Sequence, residues 1–315
     1  SIWIAFRNPT WFRAPGFAAT VEGGQVEGRA GGALRFEYER PSFTLSPRAR
    51  WSLQLQFVTT ASVEELRYLD STQWDDARTI ELEGGMQTTA GRFQIELAAA
   101  GGHAAPRHGA PVRRQAYLRT TASVAIRQPL GGRFYGAARG FAGLAAAGAG
   151  VVRQRLIPLG SADPVTQWRS PFLRSRGALF RREGVHYHEP GGAGVRGLGP
   201  EVLARQAYGL TLELERELRR GEDGLLNRVS AAGFADGGLA DGDLDPAGNN
   251  RIHGVADAGV GLRVDHRIGR TRFQTRIDLP VWVSRPALAQ DRGSGSSRLR
   301  LRWLFSFKAP LKAPV

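Results

Sequence analysis

The 315-residue chain has no cysteine, which excludes a disulfide framework, a thiolate nucleophile and any cysteine-based metal site. Lysine is almost absent: Lys308 and Lys312 are the only two, and the rest of the 43 basic residues are arginine. No run of about eighteen apolar residues occurs, so no transmembrane helix can be drawn. The most apolar stretch, Phe141 to Val152, is short and rich in Gly and Ala. A starting Met and a signal-like segment are also missing, and Ser1 is expected to open a mature chain or a piece of something longer, its C-terminal part. Neither His-Glu-x-x-His nor Gly-x-Ser-x-Gly occurs, and the chain is expected to be no enzyme, any catalytic domain lying outside it.

Among what is present, the net charge of +14 stands out. Such a charge often marks a nucleic-acid or anionic-membrane partner. Here the arginines are scattered and many sit beside carboxylates, a pattern suited to packed, bidentate pairing rather than to a basic face. Nucleic acid is therefore not expected as a partner.

Period-two alternation recurs along nearly the whole chain. Trp51, Leu53, Leu55 and Phe57 alternate with Ser52, Gln54 and Gln56, and Tyr208, Leu210, Leu212 and Leu214 alternate with Gly209, Thr211, Glu213 and Glu215. Phe273, Ile277, Leu279, Val281 and Val283 share a face opposite Arg272, Gln274, Arg276 and Asp278. The last run sets Leu299, Leu301, Trp303, Phe305 and Phe307 against Arg298, Arg300, Arg302 and Ser306. The spacing predicts about fourteen strands (12–16): 2–7, 17–26, 32–44, 48–59, 62–70, 77–86, 91–101, 112–127, 132–147, 202–218, 225–236, 252–266, 271–284 and 298–308. Many run beyond the usual five or six residues and reach the roughly 9 to 11 tilted residues that cross a bilayer. Short and long connections alternate, the longest at 148–201. The expected fold is an all-β transmembrane antiparallel β-barrel over 1–315, in a bacterial outer membrane, with both ends on the periplasmic side. A soluble β-sandwich is the alternative. Outer-membrane lipid, lipopolysaccharide and the barrel assembly machinery are the implied partners, with an N-terminal periplasmic domain or partner a further one.

In such a barrel the polar face lines the lumen. Glu213, Glu215 and Glu217 lie on one strand, with Arg133 and Arg139 on the strand before it and Arg228 on the strand after, while Arg300 and Arg302 close the series. Cross-strand pairing would make these a charge ladder. Such a ladder either stiffens a filled wall or lines an anion-preferring pore.

The 148–201 connection is longer than a barrel needs and is expected to be functional. Its glycine-rich run Gly191-Gly192-Ala193-Gly194-Val195-Arg196-Gly197-Leu198-Gly199 holds a single charge, Arg196. An arginine there is costly in a narrow space unless a carboxylate receives it. Val195-Arg196-Gly197-Leu198 resembles the Val-Arg-Gly-aromatic motif of the inward-folded loop in the bacterial surface-antigen barrel superfamily, which includes BamA and the two-partner secretion transporters. Leu198 stands where the family has an aromatic residue. Phe234-Ala235-Asp236-Gly237-Gly238 resembles the family's Phe-x-Asp-x-Gly, and Gly259-Val260-Gly261-Leu262-Arg263 and Arg276-Ile277-Asp278-Leu279-Pro280 follow in order. The resemblance covers about residues 185 to 308 and implies a loop-lumen clamp of Arg196 and Gly197 with Asp236 and Gly238. Pro171 to Leu179 and Arg302 to Phe307 are similar to barrels that follow exported zinc aminopeptidase-like domains. The functions these resemblances imply are an anchor or conduit for a larger exported protein or a protein-translocating or inserting pore, and the arginine-lined lumen leaves an anion-tolerant porin as a third expectation.

Two short clusters could hold metal. His186-Tyr187-His188-Glu189 is read as a polar loop hairpin instead, and Asp241-Gly242-Asp243-Leu244-Asp245 lacks the glycine and bidentate Glu of a calcium loop. Asp241, Asp243 and Asp245 are thus weak candidates, and no cofactor is expected.

Overall fold

The computed structural model describes residues 2–7, 17–26, 29–41, 50–61, 77–90, 92–106, 115–147, 151, 155–160, 192–199, 202–221, 226–241, 253–268, 271–289 and 297–308, with backbone alone described before Arg92. Among these residues the chain forms one antiparallel sheet of thirteen strands and no α-helix. The strands are β1 (Ile2–Arg7), β2 (Phe17–Val26), β3 (Arg29–Pro41), β4 (Arg50–Ala61), β5 (Ala77–Ala90), β6 (Phe93–Pro106), β7 (Gln115–Gly131), β8 (Phe134–Ala147), β11 (Gln206–Arg220), β12 (Arg228–Asp241), β13 (His253–Ile268), β14 (Thr271–Val283) and β15 (Leu304–Lys308). Each pairs with its neighbour in sequence, except that β8 pairs with β11 across the long loop. Two residue pairs in that loop, β9 (Ile157–Pro158) and β10 (Leu203–Ala204), make a separate short ladder. Among the described residues no ladder joins β1 to β15.

The sheet differs from the sequence expectation at one strand. β4 pairs directly with β5, Thr59 opposite Arg78, so no strand stands between them. The strand expected at 62–70 lies outside the described residues. Other ends shift because a hairpin ladder carries its strands to the turn. Alternation bounds β12 at 236, yet the strand runs to Asp241, paired residue by residue with the start of β11. At the β7–β8 turn, Gly131 and Gly132 take φ of 118° and 55°, a left-handed region open to glycine at little cost.

The two faces of the sheet are inverted relative to a water-soluble protein. On β11, Leu210, Leu212 and Leu214 are 52%, 49% and 50% exposed, while Glu213, Glu215 and Glu217 between them are 8%, 4% and 6% exposed. The same holds across the neighbours: Leu118 and Val124 of β7, Leu144 of β8, Leu239 of β12 and Val260 of β13 are exposed, and Ser230, Asp236, Asp257 and Asp278 are buried. The polar face is also the concave one. Arg276 of β14 reaches Glu213 of β11 at 2.8 Å although β12 and β13 intervene. In a flat sheet those strands would stand about 14 Å apart.

One bulge changes which side chains enter the concave side. Ala258 of β13 pairs with Trp282 and Gly259 with Pro280, leaving Val281 as an extra residue in β14. A single inserted residue reverses the alternation beyond it. Alternation places Val283 on the apolar outer face; the bulge turns it inward, where it is fully buried.

The hydrophobic core lies on the concave side, between the loop and the wall. Leu156, Ile157, Leu159, Val195, Leu198, Val202 and Leu203 of the loop pack against Ala145 of β8, Ala207 of β11, Ala240 of β12 and Val255 of β13. Small wall residues make this approach possible. A Cβ on Gly143 would come within 2.7 Å of Ile157 Cγ2, and one on Gly209 would run into the Ala193 carbonyl. Backbone at Ala193 cannot yield as a flexible side chain would. Gly209→Ala is therefore expected to destabilise the fold by about 1–3 kcal/mol through overpacking. Gly233→Ala, whose Cβ would enter open space on the outer face, should stay within about 0.5 kcal/mol. Urea unfolding of both variants in detergent micelles measures the contrast.

Candidate functional site

The loop tip is held by four strands. Ala193 donates its N–H to Pro158 O at 3.0 Å and Val195 to Leu159 O at 2.9 Å, so the two limbs of the loop support each other. Gly192 and Gly194 take φ of 54° and 87°, which bends the tip into the wall. Leu198 forms a bridge with Ala289, and Gly199 N–H reaches Leu288 O at 2.9 Å, fixing the outgoing limb to the segment after β14.

This places Arg196, 4% exposed, against β11, β12, β13 and β14. Its Nε lies 3.1 Å from Asp236 Oδ2, and its Nη2 donates to Glu213 Oε2 at 3.1 Å and to Asp236 Oδ1 at 3.4 Å. Its Nη1 stands 3.5 Å from Asp278 Oδ1, an ion pair rather than a hydrogen bond. The guanidinium also lies over the Phe234 ring, 3.9 Å from its centroid. The next residue adds a fourth carboxylate: Gly197 N–H donates to Asp257 Oδ2 at 2.5 Å. A Cβ at Gly197 would meet Val283 Cγ1 at 2.5 Å, so the inward turn of Val283 closes the space over the loop backbone.

The carboxylates are shared among several arginines. Glu213 receives Arg276 at 2.8 Å and also Arg263, besides Arg196. Glu215 receives Arg228 at 2.8 Å, Arg127 at 2.9 Å and Arg263 at 3.1 Å. Glu217 receives Arg220 at 2.7 Å and Arg228 at 2.9 Å. Asp278 is met by Arg276 Nε at 2.5 Å. Buried ions are expensive to remove from water, and here each carboxylate meets at least one opposite charge or backbone donor within ion-pair or hydrogen-bond distance. The result is one continuous lattice from the loop tip towards the short-turn end of β11.

The sequence-expected residues fall into three groups. Arg196, Gly197, Asp236, Glu213 and Glu215 stand together in the lattice. Gly238 lies beside it, where an added Cβ would meet Val195 Cγ2 at 3.0 Å, so its smallness admits the loop. Arg139 is on the inner wall but donates to Gly192 O at 2.9 Å and stacks on Phe141, so it holds loop backbone rather than a carboxylate of β11. Arg133 sits at the turn, its carbonyl accepting Glu217 N–H at 2.8 Å. Arg302 is buried and donates to Ser297 O at 2.8 Å, and Arg300 N–H continues the ladder to Val281 O at 2.9 Å. Asp241 ends β12, whereas Asp243, Asp245 and His186 to Glu189 lie outside the described residues.

Alternation and motif together miss Asp257 and Arg220. Asp257 is the most informative omission, because a lone carboxylate between Ala256 and Ala258 on an inward register position is a buried-acid signal.

No family model and no curated protein matches the chain. Among solved structures it is similar to CdiB from Escherichia coli. The identity is 12%, the TM-score is 0.48, and the match covers 91% of this chain. It covers 48% of that chain, so this chain spans about half the length of that protein.

Proposed function

We propose that the chain is a bacterial outer-membrane β-barrel domain, curled around an inward-folded loop that Arg196 pins to the wall, and that it anchors or serves as conduit for a larger exported protein. The observation that carries this reading is the inverted sheet. A row of half-exposed leucines on β11 faces outward while three glutamates of the same strand are buried. Water would penalise the first and gain nothing from the second, whereas lipid favours the outer row. The curvature suits a wall whose edges meet, which would leave no unpaired strand edge in lipid.

A packed loop makes the resting lumen narrow rather than open. The chain reconstituted in planar bilayers is accordingly expected to conduct weakly, and removal of the loop tip at 192–199 should raise steady conductance severalfold. Large steady channels from the intact chain would count against a filled lumen, and a chain that stays in water without detergent or lipid would count against the membrane assignment.

A second reading is a protein-translocating or inserting pore of the surface-antigen barrel kind. What favours it is the meeting of Val195-Arg196-Gly197-Leu198 with Phe234-Ala235-Asp236, the two motifs on which that resemblance rests. What precedes Ser1 in the gene discriminates the two readings: an enzyme domain or a string of transport repeats.

A further inference from the structure

Arg127, Arg196, Arg228, Arg263 and Arg276 of the concave face share carboxylates, but Arg216 and Arg219 on the convex face do not. Arg216 lies opposite Phe134 of β8 and Ala231 of β12, in the outward row of Leu210, Leu212 and Leu214. Beyond it, the register shift between Glu217 and Arg219 makes Leu218 the extra residue and sets Arg219 opposite Val229, again on the outer face. Both arginines are exposed, and neither has a carboxylate partner among the described residues. The Arg216 guanidinium rests over the Phe134 ring, 5.6 Å from its centroid. Around the two lie exposed Leu214, Leu218, Leu226, Leu130 and Phe134.

The position along the strand matters. From Tyr208 to Arg216 the outer row advances roughly 26 Å at strand rise, or about 19 Å of height at a 45° tilt. That puts the arginines at the margin of an apolar band about 25 Å tall. An open furrow of ≈ 460 Å³ leads away from them along the outer face, its sides Leu212, Leu214, Ile126 and Leu130 and its floor including Gly136 and Gly233.

We propose that Arg216 and Arg219 bind the phosphate of one anionic phospholipid whose acyl chain lies in this furrow. This rests on the membrane reading above. Two cations facing outward without counter-charges among the described residues, next to an apolar furrow and an aromatic ring, match a headgroup phosphate joined to a hydrocarbon chain. A soluble phosphate would leave the furrow unused, and an uncharged lipid would leave the arginines unpaired.

The test uses the full chain folded in dodecyl-maltoside micelles, titrated with phosphatidylglycerol or phosphatidylcholine, with retained lipid counted by native mass spectrometry. Phosphatidylglycerol is expected to be retained in preference. Arg216→Gln should weaken it about fivefold and Arg216→Gln with Arg219→Gln about twentyfold, given the usual worth of an arginine near an anionic surface. Arg205→Gln, an exposed arginine at the other end of β11, should leave retention unchanged. The heat-modifiable gel shift is read on every variant, so that loss of lipid is separated from loss of insertion. Equal retention by the double variant, or equal retention of the two lipids, would overturn the site. So would binding of inorganic phosphate alone with the same dependence on both arginines. Absence of the gel shift in the unaltered chain would instead overturn the membrane reading itself.

Discussion

Arg196→Ala is expected to lower the stability of the folded chain by about 3–5 kcal/mol, the cost of breaking a buried ion pair by removing one partner. The large figure follows from what is left behind. Glu213, Asp236 and Asp278 all approach this guanidinium. Glu213 and Asp278 retain Arg276, whereas Asp236 has no other arginine among the ion pairs described. The loop also loses the Phe234 contact. The midpoint of heat conversion between the compact and slow-migrating forms on a gel reads the change. Asp236→Ala should be severe for the complementary reason, leaving the cation under-paired. In a double-mutant cycle the two should couple by about 1–3 kcal/mol. Simple additivity would remove the proposed clamp while leaving the fold untouched.

The second large effect concerns the opposite face of the same strand. Leu212→Arg in a bilayer should cost on the order of 2–4 kcal/mol, as expected for a cation at mid-depth on a lipid-facing strand. Leu301, 72% exposed, should respond in the same direction. In a soluble sheet, an arginine in place of a half-exposed leucine would change stability by only about 0.5 kcal/mol. Folding yield into vesicles against urea separates the two. A negligible cost at Leu212 would show that this face meets water.

How much of this was legible depends on the residue. The faces of β11 are plain in the sequence because Leu and Glu alternate without a break, so a single parity decides all of them. Val283 defeats the same logic: Val281, Trp282 and Val283 are all apolar, and nothing in their order reveals that Val281 is the extra residue. The partners of Glu213 are obscured differently. Strand order offers Arg139 on β8 and Arg228 on β12, yet the cations that arrive include Arg276 and Arg263, brought in by curvature that no local pattern encodes. Arg196 stands out as the one charge of a glycine-rich run, but its pairing with Asp236 was readable only through ordered motifs. Asp257 belonged to none, and its contact is with backbone, which leaves no complementary residue type to search for.

The counter-charges of Arg196 have a bearing on biogenesis. Glu213, Asp236 and Asp278 all follow the loop in the chain, the last of them on β14. During N-to-C emergence the first eight strands can offer the loop Arg139 and small wall residues, but none of these carboxylates. A loop that enters early therefore waits as an uncompensated cation until β11 and β12 have been laid beside β8. Its locking follows the laying-down of the second half of the wall, and truncations ahead of Glu213 should leave a loop that protease can still reach.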